Sequence, residues 1–430
     1  MKKLSLMICF FCSFYGVNAQ SSYFEKDVDK VMEKVINWRH DIHQNPELGN
    51  REFETGKKIA AHLESLGIQV DSQVAHTGVV GVLQGGKPGP VIALRADMDA
   101  LPIVESVDLP WVSKAKTIYN GNEVGVMHAC GHDTHVAILM GVAEVLAKHK
   151  KEIHGTVKFL FQPAEEGAPQ GEEGGAELMV KEGVLKNPDV DVAFGLHISS
   201  ALEVGKITYK PEGTMASSNT FKIVVKGKGS HGAYPWASVD PIVVSAQIIN
   251  SLQTIVSRNI DVTENAAVVT IGSIHGGNRS NIIAPSTELV GTIRALSVSD
   301  RDLIFERVQT IASNTAEAMG AKAEVVIESG YPVTYNDPKL TVLMAPSLEK
   351  AVGAGNAYVV SARTGAEDFS FFAQEVPGLY FSLGGMPKGT DPSMAPPHHT
   401  SEFYVDDSGM VYGVQAFLNL VMNYPKLADQ

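Results

Sequence analysis

The chain has 430 residues, of which 44% are hydrophobic and 19% charged, and its formal net charge is −13. This length makes two domains the natural expectation, and the composition is that of a soluble globular protein without low-complexity tracts. The acidic balance and the lack of any basic block exclude nucleic acid as an expected partner.

The first 19 residues have the features of a cleaved secretory signal. Lys2 and Lys3 precede an apolar run over residues 4–17, and a small-residue cleavage site ends at Ala19. The run is too short for a transmembrane helix. We therefore predict an exported protein, periplasmic or secreted, with no membrane attachment after cleavage. Removing the two lysines changes the net charge from −13 to −15.

The positions of the cysteines are consistent with export. Cys9 and Cys12 lie inside the predicted signal, so the mature chain keeps only Cys130. A lone thiol in an oxidising compartment cannot form an internal disulfide, and its presence indicates burial or metal ligation.

Helices and strands alternate over the next 200 residues. Hydrophobic periodicity predicts helices at 23–45, 55–66 and 176–182 and after Asp133, and strands at 68–74, 79–84, 91–95, 156–161 and 191–196. This alternation favours an α/β fold with an open, doubly wound sheet and helices on both faces.

Polar side chains recur directly after the predicted strands. Asp97, Asp99, Glu165, Glu166 and His197 all take such positions. In open α/β sheets that edge is where ligands bind. We therefore expect these side chains to meet at one site.

The pattern changes from about residue 214. Strands at 220–226, 267–274, 286–295 and 323–328 and helices at 241–256 and 300–319 follow the order βαββαβ, which is the split ferredoxin-like unit. We read residues 214–328 as a domain inserted into a catalytic domain made of residues 20–213 and 329–430. The second part has predicted helices at 339–351, 367–373 and 413–421 and strands at 357–360 and 379–383.

The stretch from Met127 to His135 holds three histidines, a cysteine and an aspartate in nine residues and runs into an apolar helical pattern. Thiolate, imidazole and carboxylate groups are ligands for zinc and similar ions. A thiol near a helix N-terminus also tends to be deprotonated, which is the form that binds metal. For any single residue, helix capping or simple burial is the alternative. The cluster as a whole predicts a divalent metal site.

Ligand-type residues elsewhere complete a set that is large enough for two ions and a base: Cys130, His132, Glu165, Glu166, His197 and His399. Two divalent ions about 3.5 Å apart can share one water and lower its pKa. One carboxylate must then stay uncoordinated to take the proton of that water. On an extended stretch, Glu165 and Glu166 would point in opposite directions and so divide these roles.

Six motifs occur in order over almost all of the mature chain: Arg95–Pro102, His128–Asp133, Gln162–Gly167, Gly195–His197, Gly227–Gly232 and Gly365–Phe369. Together they closely resemble the metallo-amidohydrolases that include hippurate hydrolase, indole-acetyl-amino-acid hydrolase and N-acyl-amino-acid amidohydrolase. The resemblance implies that Cys130 bridges two metal ions and that Glu165 is the general base and then the acid. The remaining implied ligands are His132, Glu166, His197 and His399.

Three further points concern residues around the ligands. The spacing along the chain favours His399 over its neighbour His398 as the metal ligand, because His399 lies four residues before Phe403. Asp97 is expected to orient a ligand rather than to bind metal itself. His128 and His135 are treated as structural.

The inserted domain carries other implied site residues. His231 would hold the substrate carbonyl or the oxyanion, and Asn281 would lie near the same oxyanion. The resemblance leaves open whether His231 acts within its own subunit or in a homodimer formed through this domain. Arg294 is a candidate for the substrate carboxylate, with a structural ion pair as an equal alternative.

The sequence thus predicts an exported dinuclear metal-dependent amidohydrolase that acts on N-acyl amino acids or dipeptide-like small molecules. Thiolate and imidazole ligands favour zinc, and manganese, cobalt and nickel remain open. A dipeptidase or exopeptidase is the alternative among enzymes. A non-catalytic binding protein of the same fold is the other alternative, and the complete set of ligands plus base argues against it.

Overall fold

The computed structural model describes residues 23–428. The predicted signal at residues 1–19 lies outside the described residues. Within residues 23–428, no helix is both long and apolar enough to cross a membrane.

The helices, in chain order, are α1 (Glu25–Gln44), α2 (Phe53–Ser65), α3 (His132–Lys148), α4 (Gly175–Lys181), α5 (Pro241–Leu252), α6 (Thr254–Asn259), α7 (Val298–Ala318), α8 (Pro338–Val352), α9 (Phe369–Glu375) and α10 (Met410–Leu427). The strands are β1 (Gln69–Val74), β2 (Gly78–Gln84), β3 (Lys87–Asp97), β4 (Lys116–Tyr119), β5 (Asn122–Gly125), β6 (His154–Gln162), β7 (Val192–Glu203), β8 (Ile207–Tyr209), β9 (Glu212–Met215), β10 (Asn219–Lys226), β11 (Ser230–His231), β12 (Ala267–Gly276), β13 (Ile282–Ile283), β14 (Ser286–Ala295), β15 (Lys322–Ser329), β16 (Thr334–Asn336), β17 (Ala357–Val359) and β18 (Gly378–Met386).

Eight strands form the large sheet, in the order β1-β2-β6-β3-β7-β18-β8-β17. The central strands β6, β3, β7 and β18 are parallel to one another, whereas β1 and β2 join in antiparallel fashion. The parallel centre brings the carboxyl ends of β3, β6, β7 and β18 to one edge.

Both faces of this sheet are buried. Alternate residues of a strand point to opposite faces. In β3, Ile92 and Leu94 join the core that contains α1, α3 and α10, while Ala93 joins the core with α4 and α9. Burial on both sides explains why these strands read as continuous apolar runs.

A second, four-stranded sheet has the order β12-β14-β10-β15 and is antiparallel throughout. Helices α5, α6 and α7 share one apolar core with it. The element order βαββαβ and the strand order are those of a ferredoxin-like unit. The predicted fold class, an open α/β sheet with an inserted ferredoxin-like unit, is confirmed.

Local details differ from the sequence prediction. Strand β7 does not end before His197 but continues to Glu203. Glu165 and Glu166 lie in a turn rather than on an extended stretch, because Pro163 ends β6 and Ala164 has a φ of 50°. The hairpin of β4 and β5 was not predicted, and α10 is longer than the predicted segment 413–421.

Candidate metal centre

The turn before helix α3 places Cys130 and His132 on the same side of the large sheet. Gly131 between them has a φ of 96°, and a Cβ at this position would lie 2.3 Å from Ile198 Cγ2. Only glycine combines that backbone conformation with so little space. The close approach of this turn to β7 brings Cys130 next to His197.

The predicted ligands surround the sulfur of Cys130. Its Sγ lies 3.3 Å from His197 Nε2 and 3.3 Å from His399 Nε2, and His399 Nε2 lies 2.9 Å from Glu166 Oε1. On the other side of Glu166, its Oε1 is 4.0 Å from His132 Nε2. The five residues that the sequence predicted as ligands therefore converge, although they come from distant parts of the chain.

This set of donors fits divalent cations. His132 Nε2 is buried and has no hydrogen-bond partner among the described residues. Cys130, Glu166 and His399 form one group of potential ligand atoms, and His132, Glu165 and Glu166 form another, with all atoms of each group within 4.8 Å of one another. Thiol, imidazole and carboxylate groups are the ligands that zinc and similar ions prefer.

Asp99 fixes the orientation of His132. His132 Nδ1 lies 2.9 Å from the backbone oxygen of Asp99 and 3.1 Å from its Oδ1. With acceptors on that side, Nδ1 carries the proton and the Nε2 lone pair faces the site. Sequence reasoning placed Asp99 at the sheet edge but gave it no role; its position at the end of β3, two residues after Asp97, was the available signal.

Asp97 has different contacts. Its Oδ1 lies 2.5 Å from His135 Nδ1, and its Oδ2 accepts a hydrogen bond from Arg95 at 2.6 Å. His135 Nε2 in turn accepts the backbone N–H of Ile198 at 2.8 Å. Both ring nitrogens of His135 are thus occupied, as expected for a structural residue. Asp97 Oδ2 also lies 3.7 Å from His132 Nε2, whereas the carboxylate closest to the His132 ring is Asp99, 3.1 Å from Nδ1.

The geometry separates the adjacent histidines 398 and 399. His398 Nε2 accepts the backbone N–H of Ser200 at 3.2 Å. Its lone pair there is therefore used, and the proton of the neutral ring lies on Nδ1, which is 3.7 Å from Cys130 Sγ. Burial lowers the pKa of His398 to about 3, so the ring is neutral. A protonated Nδ1 cannot bind a cation, which favours His399 as the ligand.

Protons occupy the cluster when no cation balances its charge. Burial raises the pKa of the Cys130 thiol, and the negative charges of Glu166 and Glu165 raise it further. Burial lowers the pKa of His132, but Asp97 and Asp99 outweigh this and raise it to about 10. Cation binding would therefore displace protons from these two side chains.

Glu165 is placed to hold and release a proton. Burial, and then the charges of Glu367 and Glu166, raise its pKa well above the usual range. The hydroxyl of Tyr331 donates to its backbone oxygen at 2.6 Å, which fixes the turn. A carboxyl group whose pKa is raised by burial and neighbouring negative charge is typical of general acids and bases.

A buried arginine, which sequence reasoning missed as a site element, supports this edge of the sheet. The guanidinium of Arg95 donates to Asp97, to Glu367 Oε1 at 2.9 Å and to Asp368 Oδ1 at 2.8 Å. An arginine inside an otherwise apolar strand was the signal, because a buried charge must be paired.

A cavity of about 340 Å³ opens beside the cluster, and Cys130, Glu165, Glu166, His197 and His399 line one side of it. A second cavity, of about 490 Å³, is lined by residues that include Leu101 and Tyr119. Glu166 lines both cavities. Two cavities therefore adjoin this carboxylate.

None of the three predicted site residues of the inserted domain lines the cavity beside the cluster. His231 is exposed in β11, which pairs with β13, and the backbone N–H of Gly232 donates to Asn281 O at 2.8 Å. Arg294, in β14, donates to Thr292 Oγ1 at 2.6 Å and to the backbone oxygen of Ile293, with no carboxylate partner among the described residues. The roles of these three residues stay predictions.

Comparison with known proteins identifies the family. The model of peptidase family M20/M25/M40 matches residues 93–423. The chain belongs to this family. The match spans the cysteine–histidine cluster, both glutamates and the inserted unit, and it confirms the predicted membership and the enzyme class, a metal-dependent hydrolase of amide bonds.

Similar proteins cover nearly the whole chain. The thermostable carboxypeptidase 2 of Saccharolobus solfataricus is 40% identical over 93% of this chain and 98% of its own. The N-acetylcysteine deacetylase of Bacillus subtilis is 39% identical over 90% of this chain and 96% of its own. The crystal structure of a dinuclear metal binding peptidase of family M20, also from B. subtilis, superposes with a TM-score of 0.77 at 34% identity, over 93% of this chain and 99% of that protein.

Proposed function

We propose that this M20-family protein is an exported amidohydrolase that binds two divalent ions and cleaves N-acyl amino acids. One observation carries the proposal: Cys130 lies next to His197 and His399, Glu166 lies next to His399 and His132, and Glu165 lines the same cavity as Cys130 and Glu166. The residues that would hold the ions are Cys130, His132, Glu166, His197 and His399.

Each residue has a defined part in the reaction. Bound divalent ions supply Lewis acidity and lower the pKa of water. Glu165 takes a proton from the attacking water and delivers it to the leaving nitrogen, for which its raised pKa is suited. Asp99 holds His132 in the tautomer that presents Nε2, and it also accepts the backbone N–H of Glu166 at 3.0 Å.

The names of the similar proteins support the substrate class. An N-acetylcysteine deacetylase and a carboxypeptidase both act on an amide whose nitrogen belongs to an amino acid. The 40% identity to the carboxypeptidase favours a second candidate function, removal of C-terminal amino acids from short peptides. Both activities would place an amide over the same cluster.

The proposal includes a homodimer formed through the inserted unit. Its support is the exposed apolar surface near His231, where Trp236 is 79% exposed, Tyr234 55% and Ile282 53%. Large exposed apolar side chains in one region are typical of interaction sites. A partner covering this region would let His231 and Asn281 act in trans. Light scattering should give twice the subunit mass, and a monomer at micromolar concentration would contradict the dimer.

Export is supported by the N-terminal sequence of residues 1–19 alone. Mass spectrometry of the extracytoplasmic protein should find the N-terminus close to residue 20. An intact Met1 would contradict export without affecting the catalytic proposal.

A substrate panel tests the activity directly. The protein should be stripped with a chelator, reloaded with zinc, manganese, cobalt or nickel, and offered N-acetyl amino acids, N-benzoyl amino acids and dipeptides, with the released amine measured. We expect hydrolysis that depends on the metal and is fastest on one of the N-acyl series. A preference for dipeptides would select the peptidase, and no turnover with any metal would overturn the proposal.

The adjacent histidines provide a matched pair for the metal site. His399→Ala removes a proposed ligand and should lower the metal content measured by elemental analysis. His398→Phe keeps the ring that packs on Phe403 and should retain both ions, because His398 Nε2 is already used by Ser200. The reverse result would assign the ligand to His398.

A further inference from the structure

The hairpin of β4 and β5 forms one wall of the second cavity. All of β4 and the turn residue Asn120 line this cavity. Asn120 and Gly121 have φ angles of 49° and 79°, which is the left-handed conformation of a two-residue hairpin turn. At the base of the hairpin, the N–H of Val126 donates to the backbone oxygen of Ala115 at 3.0 Å. The hairpin is therefore a closed excursion of the chain that begins and ends at one place.

Large apolar side chains around this cavity are left exposed. In the hairpin, Ile118 is 68% exposed and Tyr119 40%, and Phe53, which lines the same cavity from the start of α2, is 50% exposed. All three lie outside the apolar cores of the described chain. Apolar side chains that surround a cavity without packing into a core are typical of a ligand-binding site.

The charged side chains of this cavity already have partners. Among residues 23–428, five of them line it: Glu47 accepts two backbone N–H groups at the start of α2, Arg51 pairs with Glu172, Lys116 pairs with Glu123, and Asp99 and Glu166 belong to the candidate metal centre. A charged group of a ligand would have to compete with these partners, since burying a charge is costly unless it is paired. The cavity therefore suits a neutral, apolar group.

The second cavity adjoins the place where the amide would react. Glu166, a proposed ligand, lines both cavities, and Asp99, which orients His132, lines the second one. Of the two cavities, Glu165 lines only the one beside the cluster. Because Glu165 has to deliver a proton to the leaving nitrogen, the amino-acid half of the substrate belongs in the cavity that Glu165 lines. The acyl half then extends from the carbonyl carbon towards the second cavity.

We propose that the β4–β5 hairpin binds the acyl group of the substrate and selects one that is neutral, apolar and larger than acetyl. A cavity of about 490 Å³ has the size of a small-molecule site and exceeds what an acetyl group fills. Contact with a larger acyl group removes Ile118 and Tyr119 from water, which favours binding. This inference deepens the proposed amidohydrolase function and rests on it.

Three derivatives of one amino acid, the one preferred in the substrate panel, test the selection in the metal-loaded enzyme. They carry an N-acetyl, an N-(3-phenylpropanoyl) or an N-phenylalanyl group. The second differs from the first in the size of the acyl group, and from the third only in lacking the α-ammonium group. We expect the wild type to have its highest kcat/KM on the phenylpropanoyl derivative. A higher value on either of the others would overturn the selection of a large neutral acyl group.

A pair of tyrosine variants tests the place of binding. Tyr119→Ala should lower kcat/KM for the phenylpropanoyl derivative by about tenfold, the upper range for an aromatic contact, and leave the value for the N-acetyl derivative nearly unchanged. Tyr358→Ala, at a tyrosine of β17 that is also 40% exposed, is the matched control and should alter neither value.

A second variant removes the hairpin as a whole. Two glycines replace residues 116–125, because Ala115 and Val126 already lie within hydrogen-bond distance. We expect the metal content and the turnover of the N-acetyl derivative to be kept and the preference for the larger acyl group to be lost.

The outcomes separate this inference from the function on which it rests. If the preference survives removal of the hairpin, or if Tyr119→Ala lowers both values equally or neither, the hairpin does not bind the acyl group, although the enzyme is still an amidohydrolase. If the wild-type protein hydrolyses none of the three derivatives with any metal, the proposed function itself fails.

Discussion

Two clusters of charged side chains adjoin the first turn of α3. They differ in whether an arginine of the protein balances the negative charge of the carboxylates. Asp133 accepts a hydrogen bond from Arg39 Nε at 3.1 Å, and its Oδ2 lies 2.9 Å from His43 Nδ1. The residue before it in the chain, His132, turns instead toward Glu165 and Glu166, where no arginine or lysine of residues 23–428 forms an ion pair with either glutamate. We refer to these as the closed cluster and the open cluster.

The difference shows how structural and functional charges can be distinguished. Burying a charge is costly unless it is paired. In the closed cluster Arg39 and His43 meet that requirement, so the residues can stabilise the fold without a ligand. In the open cluster the lone pairs of Cys130, His132 and Glu166 face one another, and bound cations would have to provide the balance.

The largest expected effect is on turnover in the open cluster. Glu165→Gln removes the proposed proton acceptor but keeps the size of the side chain. We expect kcat to fall by about 10³- to 10⁴-fold with the metal content unchanged, because general-base catalysis contributes on this order. Glu173→Gln, at an exposed residue that pairs with Lys181, is the matched control. A variant within tenfold of the wild type would show that Glu165 is not the base.

The closed cluster should respond in stability instead. Arg39→Leu leaves Asp133 buried without its main counter-charge, and we expect a loss of about 3–5 kcal/mol in the free energy of unfolding, measured with urea. The folded fraction should still bind metal, because the open cluster is intact. A loss below about 1 kcal/mol would show that Asp133 does not depend on this pair.

The closed cluster should also depend on pH through His43. Burial lowers the pKa of His43, but Asp133 and Glu105 outweigh it and raise it from 6.5 to about 9. Because the folded-state pKa is the higher one, the stabilisation is complete below pH 6.5 and is lost as pH rises through 9. The contribution of protonated His43 to the free energy of unfolding is about 3 kcal/mol at most.

A comparison of variants isolates this contribution. His43→Gln cannot take up a proton, so its unfolding free energy should change less than that of the wild type between pH 6.5 and 9, as measured by urea unfolding at several pH values. Equal slopes for the two proteins would mean that His43 does not titrate in this window.

The sequence was sufficient for the parts of the molecule that follow simple periodicity. Strands buried on both faces and the βαββαβ order predicted both sheets, and ligand-type residues after the predicted strands indicated that Glu165, Glu166 and His197 meet at one site. It was not sufficient where a contact depends on tertiary geometry. The partner of Arg95 lies 272 residues away in Glu367, and the position of the β4–β5 hairpin on the second cavity follows from a loop whose course no periodicity encodes.

The smallest effect that we predict concerns Asp99, which contacts the open cluster from outside. Its Oδ1 lies 3.1 Å from His132 Nδ1, and its Oδ2 accepts the backbone N–H of Glu166 at 3.0 Å, so one carboxylate orients two proposed ligands. Asp99→Asn would turn an amide donor toward one of these two N–H groups. Metal affinity should fall by about 10- to 100-fold, the usual cost of losing such a supporting group. Competition with a chelator measures it, with Asp71→Asn on the exposed edge as control, and an unchanged affinity would mean that the backbone oxygen of Asp99 is enough to hold His132.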